Sequence, residues 1–332
     1  MPKNFWKKLT KRKKPILALA PMAGFTASAF RQICKKYGAD VLYSEMASAT
    51  ALFYAADRDG KKSARGKKAT RRNATLELLR FDRRQEKYYV VQLFGSNPEH
   101  FAAAARIITK LVKPDGLDIN FGCPANKIVK QDAGAGLMKN LENSRAVLQA
   151  VLANTDLPVS VKIRARAGEV DALKFLKNIS DLPLAAVMIH GRTLSQGLAG
   201  TPDLKIIKTA RKFFKGVILA NGGVSDLAGA KKALKESGAA GLGLARGVLG
   251  RPWLFKEIKT DRIIDLKPRQ IFRIALDQAG LVQKLKGKTG IVEFRKHLVW
   301  YAQGLPGAAK LRERLVRVND LKDIKKIFLT EK

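Results

Sequence analysis

The chain has 332 residues, 46% of them hydrophobic, which suits a soluble globular protein with one large core and an appendage, or two ordinary domains. Its two cysteines and three histidines exclude a disulfide framework, argue against a zinc site and point to a reducing compartment. Sixty-four lysines and arginines against 28 acids leave a net charge of +36, far beyond what solubility needs, so a polyanionic partner is expected; a uniformly basic surface of no specific use is the competing explanation.

Residues 1–14 read as a basic tail, with seven basic residues and no acid up to Lys14. The tail lacks the apolar segment of a secretory signal, and no later run is long enough to span a bilayer, so a cytoplasmic location is expected. Phe5, Trp6 and Leu9 among lysines would suit a membrane interface, but RNA or DNA fits the charge distribution along the whole chain better.

From Pro15 onward, short β-rich runs alternate with helical stretches. Eight such runs are predicted as strands: Ile16 to Ala20, Val41 to Glu45, Tyr88 to Phe94, Gly116 to Phe121, Val159 to Ile163, Ala185 to His190, Gly216 to Asn221 and Ala240 to Ala245. Helix signals separate them: Asn97 as cap with Pro98 in the first turn, and Ser225 as cap with Gly238 as terminator. Eight such units predict a (β/α)8 TIM barrel over residues 15–258. An open doubly wound sheet is the alternative, disfavoured because no Gly-x-Gly-x-x-Gly opens a helix after the first strand. Between the second and third strands lies a basic insertion at about 57–74, with eight basic residues against two acids from Asp57 to Arg72. Residues 259–332 carry helical spacing and no strand signal, and predict a small, net basic C-terminal helical-bundle domain that leans on the barrel.

Catalytic groups of such barrels come from the C-terminal ends of strands. Here nearly every predicted strand ends in a polar group: Glu45, Gln92, Asn120 with Cys123, Lys162 with Arg164, His190 with Arg192, Asn221, and Arg246. Gly222, Gly223 and Gly247, with Arg246, follow the last two strands, where these barrels bind a phosphate. A flavin mononucleotide or a phosphorylated sugar would use the same loops. Cys34 in a helical stretch is expected in the core, His100 at the surface, and His297 in a C-terminal helix with no catalytic role.

The segments APMAGFT, SEM, VQLFGSNPE, DINFGCPANKIVKQDAGAGLM, VKIR, IHGRT, ANGGV, GRPWLF and RKHLVWYAQGLPGAAKLR together resemble the tRNA-dihydrouridine synthases, in that family's order, from about Pro15 to Leu315. The resemblance implies an FMN enzyme with NADPH as reductant. It would reduce the C5=C6 bond of uridine in tRNA, or in another structured RNA, with hydride from reduced flavin to C6 and a proton from Cys123 to C5. A thiol suits that step because it is mostly protonated at neutral pH and still a competent acid. The resemblance further implies that Asn120 presents its amide to the uracil edge, that Lys162 and His190 lie between flavin and base, and that Arg192 approaches the nucleotide phosphate. Pro21, Met22, Ala23, Gln92, Asn221, Gly222, Gly223, Ala245 and Arg246 would contact the flavin. No metal is implied, and the enzyme is expected to be a monomer.

The sequence departs from the family pattern at Leu194 and Leu198, where a basic residue and an aromatic are usual, at Gly223, at Ala245 in place of glycine, and in the basic insertion. A small-molecule flavin reductase on the same barrel would explain Asn120 and Cys123 but leave the charge and the helical domain idle. An RNA-binding chaperone that has lost its chemistry is the non-enzymatic alternative.

Overall fold

The computed structural model describes residues 4–60 and 74–331. Residues 61–73 of the basic insertion lie outside them.

Among the described residues nine strands form: β1 (Ile16–Leu19), β2 (Val41–Ser48), β3 (Tyr89–Phe94), β4 (Gly116–Phe121), β5 (Val159–Ala167), β6 (Val170–Asp171), β7 (Ala186–Thr193), β8 (Val217–Asn221) and β9 (Gly241–Leu244). All but β6 pair in parallel, and the β1–β9 and β4–β5 ladders close them into an eight-stranded barrel. The two-residue β6 lies antiparallel against the end of β5 and stands outside the ring. The strands read as unbroken apolar runs because both faces are buried, one under helices and one inside the barrel. Their period of two separates the faces cleanly. Leu17, Leu19, Leu42, Val91, Ile119, Val161 and Ile189 pack outward under the helices. Ala18, Val41, Tyr43, Val90, Met188 and Leu219 fill the interior. Space inside is tight: a Cβ on Gly243 would lie 2.5 Å from Met188 Sδ.

The N-terminal segment is not a free tail. Residues Phe5–Thr10 form a helix capped by Asn4, whose Oδ1 accepts from Trp6 N at 3.0 Å. Phe5, Trp6 and Leu9 are buried in the interior cluster, and Phe5 stacks on Tyr88, just before β3, at 4.6 Å. Phe5 also lies 3.3 Å from the position of a Cβ on Gly116, the first residue of β4. The helix therefore plugs the N-terminal mouth of the barrel, at the end opposite the strand C-termini. Its three apolar side chains are used by the fold and unavailable to a membrane.

The C-terminal region comprises helices Leu254–Thr260, Pro268–Tyr301, Ala308–Leu315 and Leu321–Thr330, the second of them interrupted at Gly287. Ala29 and Ile33, from the helix Ser28–Lys36 after β1, belong to the same buried cluster as Phe272, Ile291, Leu298 and Leu315. The bundle thus completes its core on a barrel helix. His297 is buried among Phe25, Phe30 and Phe294, with ring centroids 4.9–5.5 Å away. Gly250 comes so close to the long helix that a Cβ would lie 2.2 Å from Trp300 O. That contact brings the end of the helix over the barrel mouth. No helix among the described residues is long and apolar enough to cross a membrane.

Candidate active site

A cavity of about 820 Å³ opens at the C-terminal mouth between barrel and bundle. The inward-facing period of the strands delivers Gln92, Asn120, Lys162, His190 and Asn221 to its floor and walls, and Cys123 and Arg192 follow on the loops after β4 and within β7. Pro21, Met22 and Ala23 line it from the loop after β1, and Gly222, Gly223, Ala245 and Arg246 from the loops after β8 and β9. The residues expected to bind flavin or substrate therefore meet in one cavity with Cys123, whereas Glu45 lies outside it and binds Gly24 N. Arg164, a polar strand end in the sequence, lines it as well, as do Met46, Trp300 and Gln303, to which the sequence assigned no role. Trp300 and Gln303 are placed there by packing between residues far apart in the chain, which no local pattern reveals.

The loop carrying Cys123 is held on all sides. Asn120 Oδ1 accepts from Gly122 N at 3.0 Å and from Cys123 N at 2.9 Å. Cys123 O accepts from Ala135 N at 3.0 Å. Arg164, 2% exposed, donates through Nε to Gly122 O at 2.8 Å and through Nη1 to Thr193 O and Gly197 O at 2.8 and 2.9 Å. The Asn120 amide is thus turned toward the loop. Its Nδ2 donates to Gln92 Oε1 at 2.8 Å and faces Met46 Sδ at 3.7 Å. The expectation that it meets a substrate edge now has to share those atoms with the loop. Gln92 is likewise engaged at both ends, its Nε2 donating to Asp118 Oδ2 at 2.7 Å.

The loop after β1 is fixed in the same manner. Gly24 N donates to the Glu45 carboxylate, and Arg31 Nη1 donates to Thr26 O at 2.6 Å. Arg31 is fully buried and pairs with an equally buried Glu86 at 2.5 Å.

The cavity is electropositive. His190 is pushed down to about 2 by burial and by Lys162, Arg164, Arg192 and Arg246, so it is neutral at physiological pH. Lys162 is lowered to about 8 by burial and by Arg164, partly offset by Asp118. Lys162 lines the cavity, and its Nζ has no hydrogen-bond partner among the described residues, which leaves a donor free for a ligand's polar edge. The loops after β8 and β9 form a cradle that side chains would fill. A Cβ on Gly222 would lie 2.6 Å from His190 Cδ2, and one on Gly247 would lie 2.1 Å from Val224 O. The turn Arg246–Val248 begins beside them. Open backbone next to an arginine at this corner of a TIM barrel suits a phosphate, so the donor set fits a flavin mononucleotide.

A closed parallel barrel with its site at the C-terminal mouth, covered by a helical appendage, places the chain among TIM-barrel proteins of a kind seen in solved structures. It superposes on an old yellow enzyme homologue from Zymomonas mobilis with a TM-score of 0.53 at 14% identity, over 75% of this chain and 90% of that one. A 2-naphthoyl-CoA reductase gives 0.56 at 13% identity, over 77% and 53%. At such identity the likeness concerns the fold alone. The chain belongs to the dihydrouridine synthase family, which its residues 18–332 match. It is 30% identical to a probable tRNA-dihydrouridine synthase 1 of Synechocystis sp. over 93% of this chain and 84% of that protein. It is also 30% identical to tRNA-dihydrouridine synthase B of Pseudomonas syringae pv. tomato, over 92% and 87%.

Proposed function

We propose that the protein reduces the C5=C6 bond of uridine in RNA, with tRNA as its substrate class, to give dihydrouridine. The observation that carries this reading is the placement of Cys123 on one wall of a cavity whose other walls offer Lys162, neutral His190 and a glycine cradle beside Arg246. When bound, FMN reduced by NADPH would supply the hydride for C6. The residues of the chain do the rest. Gly222, Gly223, Ala245 and Arg246 hold the phosphate, and Pro21, Met22, Ala23 and Asn221 border the ring. Lys162 donates to polar edges in the cavity. His190, being neutral, offers a hydrogen bond without adding charge. Cys123 gives its proton to C5, so that hydride and proton together saturate the double bond and leave a thiolate that regains a proton from solvent. Arg192 faces the nucleotide phosphate.

A stacked uracil is shielded on both faces, so the base must come from a loop or be turned out of its stack into the mouth. The net charge of +36 supplies the affinity for the surrounding phosphates. Because the N-terminal helix lies at the opposite end of the barrel, the grip falls to the bundle and the rim of the mouth. RNA affinity is expected to fall steeply with added salt. Replacing Cys123 by Ala should leave the yellow colour and RNA binding intact while sharply cutting dihydrouridine formation. Normal product yield in that variant, or turnover of free uracil at rates matching RNA, would overturn the reading.

A further inference from the structure

Beneath Cys123 runs a chain of hydrogen bonds that begins at a residue the proposed chemistry does not use. Asp118 is fully buried on the inner face of β4, two residues before Asn120. Its Oδ1 accepts from Ser160 Oγ at 2.6 Å and its Oδ2 from Gln92 Nε2 at 2.7 Å. Gln92 Oε1 accepts from Asn120 Nδ2 at 2.8 Å, and Asn120 Oδ1 accepts from the backbone of Gly122 and Cys123.

Each amide in this series has a donating end and an accepting end, and by itself fits its slot either way round. The two termini of the chain do not. Two backbone N–H groups at the top demand an oxygen, and a carboxylate at the bottom, which only accepts when ionised, demands a nitrogen. Gln92 and Asn120 satisfy both demands in one orientation alone. We propose that Asp118 is a positioning residue for Cys123, setting the orientation of the Gln92 and Asn120 amides and through them the loop that carries the thiol. Packing does not explain a carboxylate at this site. Burial pushes Asp118 up to about 6, so the carboxylate is held there at a desolvation cost that its hydrogen bonds must offset. Lys162 is the cation that faces it.

The catalytic consequence rests on Cys123 as proton donor, whereas the geometry does not, and the test keeps the two apart. Full-length protein as purified is treated with iodoacetamide, and Cys123 alkylation is followed alongside thermal midpoint and product formation. Cys34 is fully buried, and Cys123→Ala gives the background. Asp118→Leu keeps the shape and removes the acceptor. It leaves Gln92 Nε2 and Ser160 Oγ without their acceptor, so it is expected to melt lower than the parent and, well below its melting temperature, to alkylate roughly tenfold faster and form product roughly tenfold slower, the change one lost hydrogen bond produces. Asp118→Asn can still turn its oxygen to Gln92 while its nitrogen donates to Ser160 Oγ, whose hydroxyl has Leu117 O within 3.3 Å. It is expected to stay near parental values. Equal behaviour of the two variants, or changes that follow only the melting temperature, overturns the proposal. Should Asp118→Leu fail to fold, Gln92→Met cuts the same chain one link higher, and parental alkylation in it overturns the proposal equally. If Cys123→Ala makes product normally, the proton-donor reading fails while the alkylation comparison still decides the role of Asp118.

Discussion

Gly134 lies directly against Cys123: a Cβ built on it would sit 2.9 Å from Cys123 Cβ and 3.0 Å from Cys123 O. Its φ of 59° and ψ of −122° are a conformation that only glycine adopts without strain. The next residue, Ala135, donates its N–H to Cys123 O. Gly134 is therefore the back wall of the thiol. Gly134→Ala is expected to cost about 1–3 kcal/mol in backbone strain and to push Cys123 toward the cavity. Denaturant midpoints should fall and product formation should drop, while Gly197→Ala, also at positive φ but with open space around it, should lose stability with little effect on turnover. Equal turnover in the two variants would argue against the contact.

The barrel was readable because strands buried on both faces leave apolar runs bounded by glycines and polar residues. β4 begins and ends where the sequence places it, at Gly116 and Phe121. β2, β5 and β7 run three to four residues beyond their expected ends, because Arg166 and Thr193 continue the β5–β7 ladder while looking like loop residues, and Met46, Ala47 and Ser48 continue β2 along β3. The meeting of the site residues was legible in the inward period of the strands. Which way Gln92 and Asn120 turn was not, since that depends on hydrogen bonds to the Asp118 side chain and to the backbone of Gly122 and Cys123. The N-terminal helix was not legible, because Phe5, Trp6 and Leu9 among lysines look the same whether their apolar partner is a lipid surface or the floor of a barrel made from residues far along the chain.

That plug carries its own prediction. Trp6 is 1% exposed, and its Nε1 has no hydrogen-bond partner among the described residues. Trp6→Ala opens a cavity and is expected to destabilise the fold by about 3–5 kcal/mol. Trp6→Phe deletes an unsatisfied buried donor along with some packing, so it should cost far less. Urea unfolding of the two variants measures the difference. RNA affinity and its salt dependence should be parental in both, because the helix lies at the far mouth; a lowered salt slope would show that this end touches RNA.

Arg164 joins the Cys123 loop to the loop after β7 by binding Gly122 O, Thr193 O and Gly197 O at once. A lysine keeps the charge but lacks the planar fork that reaches several carbonyls. Arg164→Lys should leave acceptors unsatisfied at about 1–3 kcal/mol each. Hydrogen exchange should accelerate in residues 193–200 and around Cys123 together. Acceleration in one loop without the other would show that the arginine does not couple them.

His297 sets a pH dependence of stability whose sign is fixed by its burial. It is lowered to about 3 by burial and by Lys296, opposed by a backbone contact with Phe25, and the rings of Phe25, Phe30 and Phe294 enclose it. In the unfolded chain it titrates near 6.5, so below that pH the unfolded state takes up a proton that the folded state refuses. Its contribution is complete above about 6.5 and is lost as pH falls toward 3, at up to ~1.4 kcal/mol per pH unit. His190 acts in the same direction in the absence of a ligand. Asp118, raised to about 6, acts oppositely between roughly 4 and 6, because there the folded state holds the extra proton. Two histidines against one aspartate leave a net loss of stability on acidification from pH 6.5 to 4.5. His297→Gln, which keeps a polar group beside Gln278 and cannot titrate, should flatten the urea-derived stability profile over that range by about one proton's slope. A profile equally steep in parent and variant would place the titration elsewhere, and one rising toward acid would mean that the carboxylate outweighs both imidazoles.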